Sequence, residues 1–345
     1  MRPSQTSLAH LASVLGLAPS TVSRALTGSN QVSMATQARV QHMAAELRYQ
    51  PNQAAAALRR GHSRTLGVLV PHLAGSFFPA VVASITEAAS QVGYTVMVSQ
   101  SQDDEHQEKK NLNLLLQAQV AGLLVSLAST THDFAHFETV REAALPLVFF
   151  DRAATDVTGP RISSVVLDDY EGAYQAVTHL ITEGYRRIAH FAGPLHLAIH
   201  RHRHQGYLAA LHDHGLSYDE NLCYVSNLTQ QAGATGMQHM RSLPIPPDAI
   251  FSSSDSATVG ALQFAKERQL HIPQDVALAG FSNAYFSSLT EPALTTVDQD
   301  SEHMGRVAVR RLLHLLHAEP GSLPVPPIVL SPKLLIRASS CRVSV

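Results

Sequence analysis

The segment Leu17-Ala-Pro-Ser-Thr-Val-Ser-Arg-Ala-Leu26 decides how the start of this chain folds. It follows the amphipathic run Leu8-Ala-His-Leu-Ala-Ser-Val-Leu15 and is separated from it by Gly16. Apolar residues recur in that run at helical spacing, and Ser7 before it is a suitable helix start. Two short helices joined by a tight turn indicate a helix-turn-helix, although a plain helical hairpin fits the same periodicity.

The second of these helices carries the groups that could meet DNA. Pro19 suits its first turn, where a missing N–H costs nothing. Val22 and Leu26 are predicted to face inward. The outward side chains are short hydrogen-bonding groups and one guanidinium, which suit phosphates and base edges; they are Ser20, Thr21, Ser23 and Arg24.

Charge is distributed unevenly along the chain. Residues 1–60 contain six arginines and one glutamate, a net charge of +5. The remaining residues hold 19 basic and 26 acidic side chains, a net charge of −7, which gives −2 overall. A basic segment of residues 1–60 followed by an acidic remainder predicts that only the first 60 residues bind a polyanion.

Length and composition narrow the class of protein. The chain has 345 residues, 45% hydrophobic and 15% charged, which predicts two or three globular domains. Two cysteines, Cys223 and Cys341, are too few for a disulfide framework or a cysteine-based zinc site. Since the sequence shows neither a signal-peptide pattern nor a run of ~18 apolar residues, we expect a soluble, cytoplasmic protein with no membrane partner.

Two further helical segments follow the hairpin. The spacing predicts a third helix over Met34–Leu47, starting at Ser33, whose inward side would be formed by Ala38, Met43, Ala44 and Leu47. Asn52 then caps the alanine-rich segment 53–60, which ends at Gly61. Eight residues are too few for a stable isolated helix, so this one is expected to order only when it docks.

From Arg64 onward, short apolar strands alternate with helices, and after Arg161 the pattern begins again. This alternation predicts an α/β fold with two lobes of parallel sheet flanked by helices. The predicted strands are 65–70, 94–99, 121–127, 146–150, 163–167, 187–191, 222–225, 249–252 and 276–280. The predicted helices are 78–92, 105–117, 134–144, 170–183, 201–214, 232–240 and 257–268.

Read as a whole, the sequence resembles the lactose-repressor (LacI) family of bacterial transcription regulators. The motifs carrying the resemblance are Ser20-Thr-Val-Ser-Arg-Ala-Leu26, Tyr49-Gln-Pro-Asn52, Ala54-Ala-Ala-Ala-Leu-Arg59, Thr65-Leu-Gly-Val-Leu-Val-Pro71, Phe77-Phe78, Gly122-Leu-Leu-Val125, Gly193-Pro-Leu195, Asp255, Pro273-Gln-Asp-Val276, Gly280-Phe-Ser-Asn283 and Pro292-Ala-Leu-Thr-Thr-Val297. Taken singly, most of these motifs are weak evidence for the family, but their order and spacing along the chain are specific to it.

The resemblance implies a helix-turn-helix headpiece over 1–50, a hinge helix over 51–61 and a two-lobed core over 62–345 that resembles periplasmic binding proteins. It implies an N-lobe of about 62–162 and 292–323 and a C-lobe of about 163–291 and 324–345. The chain would cross between lobes near 161–163, 291–295 and 322–326. A homodimer reading a pseudo-palindromic operator is also implied.

The resemblance carries DNA contacts onto this chain. Pro19, Ser20 and Arg24 would read base edges, although Arg24 could instead hold only a phosphate. Leu58 would insert between base pairs in the minor groove, pack against its dimer partner, or do both. The remaining predicted DNA-binding residues are Ser7, Thr21, Ser23, Asn30, Asn52 and Ala55.

Between the lobes, at the carboxyl ends of the strands, the fold predicts an effector cleft. The first lobe offers Phe77, Phe78, Ser126 and Asp151, and the second offers Arg203, Ser254, Asp255, Ser282 and Asn283. Arg203 matches a family arginine that contacts ligand hydroxyls or a carboxylate; the alternative is an interlobe salt bridge. Many members carry aspartate where this chain has Ser282, which departs from the common sugar-hydroxyl pattern.

No cofactor or metal is expected. The chain has 20 histidines, but His200, His202 and His204, and likewise His132 and His136, lack the spacing and carboxylate of a catalytic zinc site. Nucleotide-binding and hydrolase motifs are missing after the predicted strands, which disfavours an enzyme.

The sequence therefore predicts a dimeric repressor released from double-stranded DNA by a sugar, sugar acid or sugar phosphate. A corepressor-dependent regulator with a non-sugar effector and a solute-binding protein without a regulatory role are the alternatives.

Overall fold

In the computed structural model, which describes residues 7–49, 63–154, 156–318 and 323–342, the chain divides into two units, residues 1–63 and 64–345. Each unit has its own apolar core. The predicted hinge contacts Asn52, Ala55 and Leu58 lie outside the described residues.

The first unit contains three helices whose ends are set by local chemistry. They are α1 (Leu8–Leu15), α2 (Pro19–Leu26) and α3 (Met34–Glu46). The Ser7 hydroxyl accepts a hydrogen bond from the backbone N–H of His10, which caps α1 at its start. Gly16 ends α1 in the left-handed region, with φ of 66°, and Pro19 opens α2.

The core of this unit differs in detail from the predicted one. Val22 is buried as expected, but Leu26 is only half-buried, and Ala25 occupies the inward position beside Val22. On α3 the prediction for Ala38 is wrong, because this residue is exposed and Val40 fills the core instead. Ala44 is buried and Met43 and Leu47 pack against this core as predicted, so the error is confined to Ala38, which lies two residues, or about half a turn, from Val40.

The second unit is built on two six-stranded sheets, and all nine predicted strands are present. The strands are β1 (Thr65–Val70), β2 (Thr95–Gln100), β3 (Gly122–Val125), β4 (Leu147–Phe150), β5 (Ile162–Leu167), β6 (Ile188–Ala192), β7 (Cys223–Val225), β8 (Ala249–Ser252), β9 (Ala277–Phe281), β10 (Thr295–Asp298), β11 (Ile328–Leu330) and β12 (Lys333–Leu335). The first sheet has the order β11-β5-β4-β3-β1-β2 and is parallel throughout. The second has the order β12-β10-β9-β8-β6-β7, with only β12 antiparallel.

Helices connect the parallel strands. They are α4 (Phe77–Gln91), α5 (Glu105–Gln117), α6 (Glu138–Glu142), α7 (Asp169–Thr182), α8 (Ala198–Asp213), α9 (Gln230–Ser242), α10 (Asp255–Glu267) and α11 (Ser301–Leu316). The helix predicted over 134–144 is shorter than expected: a 3₁₀ turn at Ala135–Phe137 precedes α6. No strand or helix was predicted beyond residue 280, where β10, β11, β12 and α11 lie.

The predicted lobe boundaries are wrong by several residues. Strand β5 pairs with β4 in the first sheet, although 163 was predicted to begin the C-lobe. Strand β10 pairs with β9 in the second sheet, although 292–323 was assigned to the N-lobe, and β11 returns to the first sheet. The chain therefore passes between sheets after Leu167, Asp298 and Leu330. Backbone pairing decides these positions, whereas the predicted boundaries were those that the family resemblance implied.

Helices α9 and α10 pack closely through glycines. An added Cβ on Gly260 would lie 1.8 Å from the Gln230 carbonyl oxygen, and one on Gly233 would lie 1.9 Å from that of Ala257. Both obstacles are backbone atoms, which cannot rotate away. The contact therefore requires glycine at both positions.

We expect Gly260→Ala to destabilise the protein by about 3 kcal/mol or more, because overpacking forces the two helices apart. Thermal or urea unfolding of the full chain measures the loss. Gln238→Ala, on an exposed position of α9, is the matched control and should change stability by less than about 0.5 kcal/mol. A Gly260→Ala variant as stable as the control would contradict the packing described.

Candidate nucleic-acid surface and effector cleft

Helix α2 presents the predicted DNA-binding residues on one accessible surface. Pro19, Ser20 and Arg24 are exposed, and Thr21 and Ser23 are half-buried beside them. Asn30 is exposed in the turn that follows the helix. The predicted contact Ser7 is exposed, but its hydroxyl already accepts the capping hydrogen bond of α1.

Two side chains that sequence reasoning missed support this surface from α3. The Arg39 guanidinium donates a hydrogen bond to the Leu15 carbonyl at the end of α1. The Gln37 amide donates to the carbonyl oxygens of Ser29, at 3.0 Å, and Val32, at 2.9 Å, and so holds the turn that carries Asn30. Gln37 and Arg39 are polar residues on an apparently solvent-facing side of α3, so the sequence pattern did not predict these contacts.

In the second unit, the carboxyl ends of the strands bring together most of the predicted effector residues. Ser126 follows β3, Asp151 follows β4, Ser254 lies two residues beyond β8, and Ser282 follows β9. Phe77 and Phe78 form the first turn of α4, with their ring centroids 5.1 Å apart. Phe78 is buried and Phe77 is half-buried, so one aromatic ring belongs to the core and the other remains available to a ligand.

Asp151 is a buried carboxyl with spare hydrogen-bonding capacity. Its backbone has a φ of 58°, a left-handed conformation that is costly for a non-glycine residue and clusters at functional sites. Among the described side chains it receives one long hydrogen bond, 3.3 Å from the Gln299 amide. Burial raises the pKa of Asp151 to about 6, against the opposing effects of Arg152 and Arg203.

Arg203 is held by three groups within the second lobe. Its guanidinium pairs with Asp169, with Nε 2.8 Å and Nη2 2.7 Å from Oδ1. Nη1 donates to the Ser253 carbonyl at 2.8 Å, and the group lies 3.7 Å above the Phe281 ring centroid. The salt bridge considered as an alternative is therefore present, but within one lobe.

Asp169, the partner of Arg203, was missed by sequence reasoning. Burial raises the pKa of Asp169 and its Arg203 partner lowers it, with a net rise above the ordinary value. Both groups are almost fully buried. A buried pair of this kind is strongly destabilised when one member is removed.

Asp255 is also committed to internal contacts. Its Oδ1 accepts from the Thr296 hydroxyl at 2.7 Å, and its Oδ2 accepts from the backbone N–H of Ala284 at 2.8 Å. Burial raises the pKa of Asp255 to about 6 despite these hydrogen bonds. The side chain positions the loop after β9. The neighbouring Ser254 hydroxyl caps α10 by accepting from the N–H of Ser256.

Asn283 and Ser282 lie on that loop in uncommon backbone conformations, with φ of 47° and 120°. The Asn283 amide donates to Asp298 at 3.1 Å, and its carbonyl oxygen accepts from Arg337 at 2.9 Å. The Asn283 side chain is thus already hydrogen-bonded on both its donor and its acceptor side, whereas the half-buried Ser282 hydroxyl makes no hydrogen bond with the described residues.

Among the buried polar atoms that have no hydrogen-bond partner in the described part of the chain, three follow strands β3, β4 and β8: Oγ of Ser126, Nε of Arg152 and Oγ of Ser253. Arg152 otherwise donates to Asp103 at 2.6 Å and lies 5.8 Å from the Phe78 ring centroid. Although burial opposes it, the Arg152 charge holds the pKa of Asp103 below its ordinary value. Buried polar groups are normally satisfied, so these atoms retain hydrogen-bonding capacity at the carboxyl ends of the strands.

Arg152, Ser253 and Gln299 were all missed by sequence reasoning. The available signal was adjacency: Arg152 follows Asp151, and Ser253 precedes Ser254. Successive side chains of a strand point to opposite faces of the sheet, but two adjacent residues in the loop after a strand can both point into the same cleft.

A hydrogen bond joins the two lobes beside the cleft. The His196 ring, in the loop after β6, hydrogen-bonds through Nε2 to the Ser129 carbonyl at 2.8 Å, in the loop after β3. The ring of His132 lies against it, with centroids 4.0 Å apart. Burial lowers the pKa of His196, and the neighbouring His132 adds to this effect.

The histidines of α8 pack in the protein interior or face solvent. His200 is buried, where desolvation and the charge of Arg203 lower its pKa well below the ordinary value, and His202 is exposed. His190 of β6 stacks on Phe251, and burial lowers its pKa to about 3. Among the described residues, no group of three histidine, cysteine, aspartate or glutamate side chains has the geometry of a metal site.

Comparison with known proteins agrees with both units. Residues 8–52 match the family model of bacterial regulatory proteins, lacI family, and residues 63–326 match that of periplasmic binding proteins and sugar binding domain of LacI family. The HTH-type transcriptional repressor CytR of Escherichia coli (strain K12) is 33% identical over 299 residues, which cover 87% of this chain and 86% of CytR.

Solved structures agree over nearly the whole chain. The transcriptional regulator CelR–cellobiose complex has 30% identity and a TM-score of 0.72, covering 98% of this chain and 100% of CelR. The Lac repressor dimer bound to operator and the anti-inducer ONPF has 26% identity and a TM-score of 0.86, with the same coverage.

A helix-turn-helix unit joined to a two-lobed binding core defines a ligand-responsive transcriptional regulator. The chain belongs to the LacI family of bacterial regulatory proteins. Of its described helices, none has the length and apolar character needed to cross a membrane.

Arg203→Met is expected to lower the free energy of unfolding by about 3–5 kcal/mol, because it leaves the Asp169 carboxyl buried without its partner. Adding Asp169→Asn should restore part of the loss. Urea unfolding of both variants and the wild type measures these differences. The control is Arg201→Met, on an exposed position of the same helix, which should cost under about 1 kcal/mol. Equal stability of the two single variants would show that Arg203 is not a structural residue.

Asp151→Asn is expected to stabilise the protein at pH 7.5. Because the pKa of Asp151 is raised from 3.8 to about 6, the folded state binds its proton more tightly than the unfolded chain, so stability falls as the pH rises between these two values and stays lower above them. Removing the charge should raise the free energy of unfolding on the order of 1–3 kcal/mol at pH 7.5. At pH 4.5, where Asp151 is protonated, most of the gain should disappear.

Urea unfolding at both pH values tests this, with the exposed Asp133→Asn as the matched control. A gain of equal size at pH 4.5 and 7.5, or a loss at pH 7.5, would contradict the assignment of a buried, weakly satisfied carboxylate.

Proposed function

We propose that the chain is a repressor that binds a pseudo-palindromic operator in double-stranded DNA as a homodimer and is released by a small carbohydrate-like effector. The observation that carries the proposal is the cleft at the strand ends, where Ser126, Ser253 and Arg152 present buried polar atoms that no described residue satisfies. In the same chain, the helix-turn-helix exposes the side chains predicted to bind DNA. CytR is a repressor, CelR was solved with cellobiose, and the Lac repressor was solved on its operator.

The DNA-binding part rests on charge and exposure. The first 60 residues carry a net charge of +5, and the exposed Arg24 has the reach and geometry for a bidentate contact to guanine. Ser20 and Pro19 lie on the same helix, where they would contact base edges. Thr21, Ser23, Asn30 and the backbone around Ser7 are placed to contact phosphates.

The effector part rests on the mixture of groups in the cleft. Hydroxyls of Ser126, Ser253 and Ser282, the Asp151 carboxyl and the Gln299 amide supply donors and acceptors. The half-buried ring of Phe77 supplies an apolar face. A few oriented polar groups on an aromatic wall suit a polyhydroxylated ring. Arg203, Asp255 and Asn283 would then shape the cleft chiefly through their internal contacts.

An exposed apolar edge supports the homodimer. Strand β2 lies at the edge of the first sheet, with Met97 43% exposed and Val98 38% exposed, and Val92 nearby in the chain is 49% exposed. Edge strands with uncovered apolar side chains are sites of pairing. Sedimentation at micromolar concentration should give the mass of a dimer, and a monomer would exclude this part of the proposal.

A regulator that acts on chromosomal DNA would work in the cytoplasm, and we propose no catalytic activity for it. A corepressor-dependent regulator would show tighter operator binding with ligand, whereas a solute-binding protein without a regulatory role would show ligand binding without operator binding. The operator experiment distinguishes all three.

Wild-type protein should shift a DNA fragment from its own upstream region, with an affinity that falls steeply as salt rises. Arg24→Ala should weaken specific binding by about 1–3 kcal/mol, roughly 5- to 150-fold. Arg310→Ala, which removes an exposed arginine from the other unit, should leave binding unchanged. A gel shift or fluorescence anisotropy titration measures this. Failure of the wild type to bind at low salt would overturn the repressor proposal.

A further inference from the structure

Two histidine rings meet where the loop after β3 faces the loop after β6. Nε2 of His196, in the second lobe, lies 2.8 Å from the Ser129 carbonyl oxygen in the first lobe. Because a carbonyl oxygen only accepts hydrogen bonds, this nitrogen carries a proton. The His132 ring of the first lobe packs against the His196 ring, with centroids 4.0 Å and planes 30° apart. We call these two rings and the Ser129 carbonyl the interlobe clasp.

The first-lobe half of the clasp is held in place from beneath. The backbone N–H of Ser129 donates to Oδ1 of Asp103 at 2.7 Å. The Ala128 N–H and the Thr131 hydroxyl donate to the two carboxyl oxygens of Glu108, at 2.6 Å and 2.9 Å, and Glu108 is fully buried. The acceptor of the clasp is therefore fixed by the first lobe itself, so little further ordering is required when the second lobe binds it.

The clasp is connected to the effector cleft on both sides. In the first lobe, Asp103 also accepts from Nη1 of Arg152 at 2.6 Å, and Nε of Arg152 is one of the unsatisfied buried atoms at the strand ends. In the second lobe, the His196 carbonyl accepts from Nη1 of Arg201 at 3.3 Å, and Arg201 lies on α8, the helix that carries Arg203. A ligand that moves Arg152 or α8 therefore also acts on the clasp.

A cavity of about 330 Å³ lies beside the clasp and is shared by both lobes. Thr131, His132 and Asp156 line it from the first lobe, and His196 and Arg201 line it from the second. A polar space of this size admits water. Both rings can therefore exchange protons with solvent without separation of the lobes.

Charged and titratable groups of both signs surround the two rings; they are Arg201, Asp156, Asp133, His136 and His200. His136 is engaged by Glu108 at 2.9 Å, and burial lowers the pKa of His200 well below its ordinary value. The exposed charges of Arg201 and Asp156 act on the rings in opposite directions. The repulsion between the two rings themselves is therefore the effect that decides.

Protonation weakens the clasp. Burial lowers the pKa of His196; the hydrogen bond to Ser129 opposes this and the His132 ring adds to it, with a net fall below 6.5. The folded protein therefore binds this proton less tightly than the unfolded chain, so the stabilisation from the clasp is complete above pH 6.5 and falls as the pH drops below that value. Two charged rings with centroids 4.0 Å apart repel one another by about five-fold in an equilibrium constant at the dielectric constant of water.

We propose that the interlobe clasp holds the two lobes in one arrangement and opens when both of its rings are charged. Arg152 on one side and α8 on the other connect it to the cleft, so acid and a cleft ligand act on the same equilibrium between lobe arrangements. His132 and His196 are thus positioning residues for the response of the regulator. The effect on operator binding rests on the proposed function, whereas the clasp itself can be measured without DNA.

The first experiment measures the coupling between the rings by urea unfolding of the full chain, in a double-mutant cycle of His132→Ala and His196→Ala. At pH 7.5 the pair should stabilise the folded state by about two- to ten-fold in the unfolding equilibrium constant, as other ring pairs do. At pH 5.5 this coupling should vanish or change sign. The control cycle uses His106→Ala, an exposed histidine of α5, in place of His132→Ala and should show no coupling. No coupling of the clasp pair at pH 7.5, or equal coupling at both pH values, overturns the clasp.

The second experiment measures the affinity for the upstream DNA fragment at the same two pH values. His132→Phe keeps the ring contact but cannot be charged, and His196→Ala removes both the ring and its hydrogen bond. The wild type should match His132→Phe at pH 7.5 and differ from it by about five-fold at pH 5.5. His196→Ala should differ from His132→Phe by that amount at both pH values. Histidines of the first unit are shared by all variants, so their titration cancels in these comparisons.

His106→Phe is the matched control and should follow the wild type at both pH values, and circular dichroism verifies that each variant is folded. The same pH dependence for the wild type and His132→Phe overturns the opening of the clasp by acid. Wild-type affinity of His196→Ala at both pH values overturns the link between the clasp and operator binding. If the wild type does not bind the fragment, the proposed function fails, and the unfolding cycle alone decides whether the clasp exists.

Discussion

The buried guanidinium of Arg203 is the interaction on which the floor of the cleft depends. It links α8 to the start of α7 through Asp169, to the end of β8 through the Ser253 carbonyl and to β9 through the Phe281 ring. In an interior of low dielectric, each of these contacts is strong when all are made, and the charge is costly when one partner is missing. Four separate segments of the second lobe are therefore fixed relative to one another by one side chain.

This arrangement changes which groups remain free for a ligand. The polar residues with the clearest sequence signal, Arg203, Asp255 and Asn283, are engaged in contacts within their own lobe. Their neighbours in sequence or space are left with unused donors and acceptors, among them Ser253 and Arg152. Arg203, Asp255 and Asn283 therefore hold the surrounding backbone in place, while Ser253 and Arg152 keep hydrogen-bonding capacity. Such a division is common where a site must be pre-organised before the ligand arrives.

The cleft also lies where the chain crosses from one sheet to the other. Gln299 follows the second crossing and contacts Asp151 of the first lobe, and the first crossing precedes Asp169. A ligand bound here touches the segments that would bend when the lobes move. Differential binding to two lobe arrangements is the requirement for a ligand to control a distant function. The hinge helix predicted between the two units is the segment on which such control would act.

The sequence by itself determined the class of the protein. The apolar spacing over Leu8–Leu26 predicts the helix-turn-helix, and the alternation of apolar strands with helices predicts the parallel sheets. The distribution of charge distinguishes the basic N-terminal segment from the acidic remainder. These features can be predicted because local periodicity and composition are properties of neighbouring residues. Tertiary structure decided the rest. Pairing placed β5 and β10 in sheets other than those predicted, and the Asp169–Arg203 pair joined residues far apart in the chain. Whether a polar side chain is satisfied internally or left open to a ligand depends on such distant partners, which no local pattern encodes.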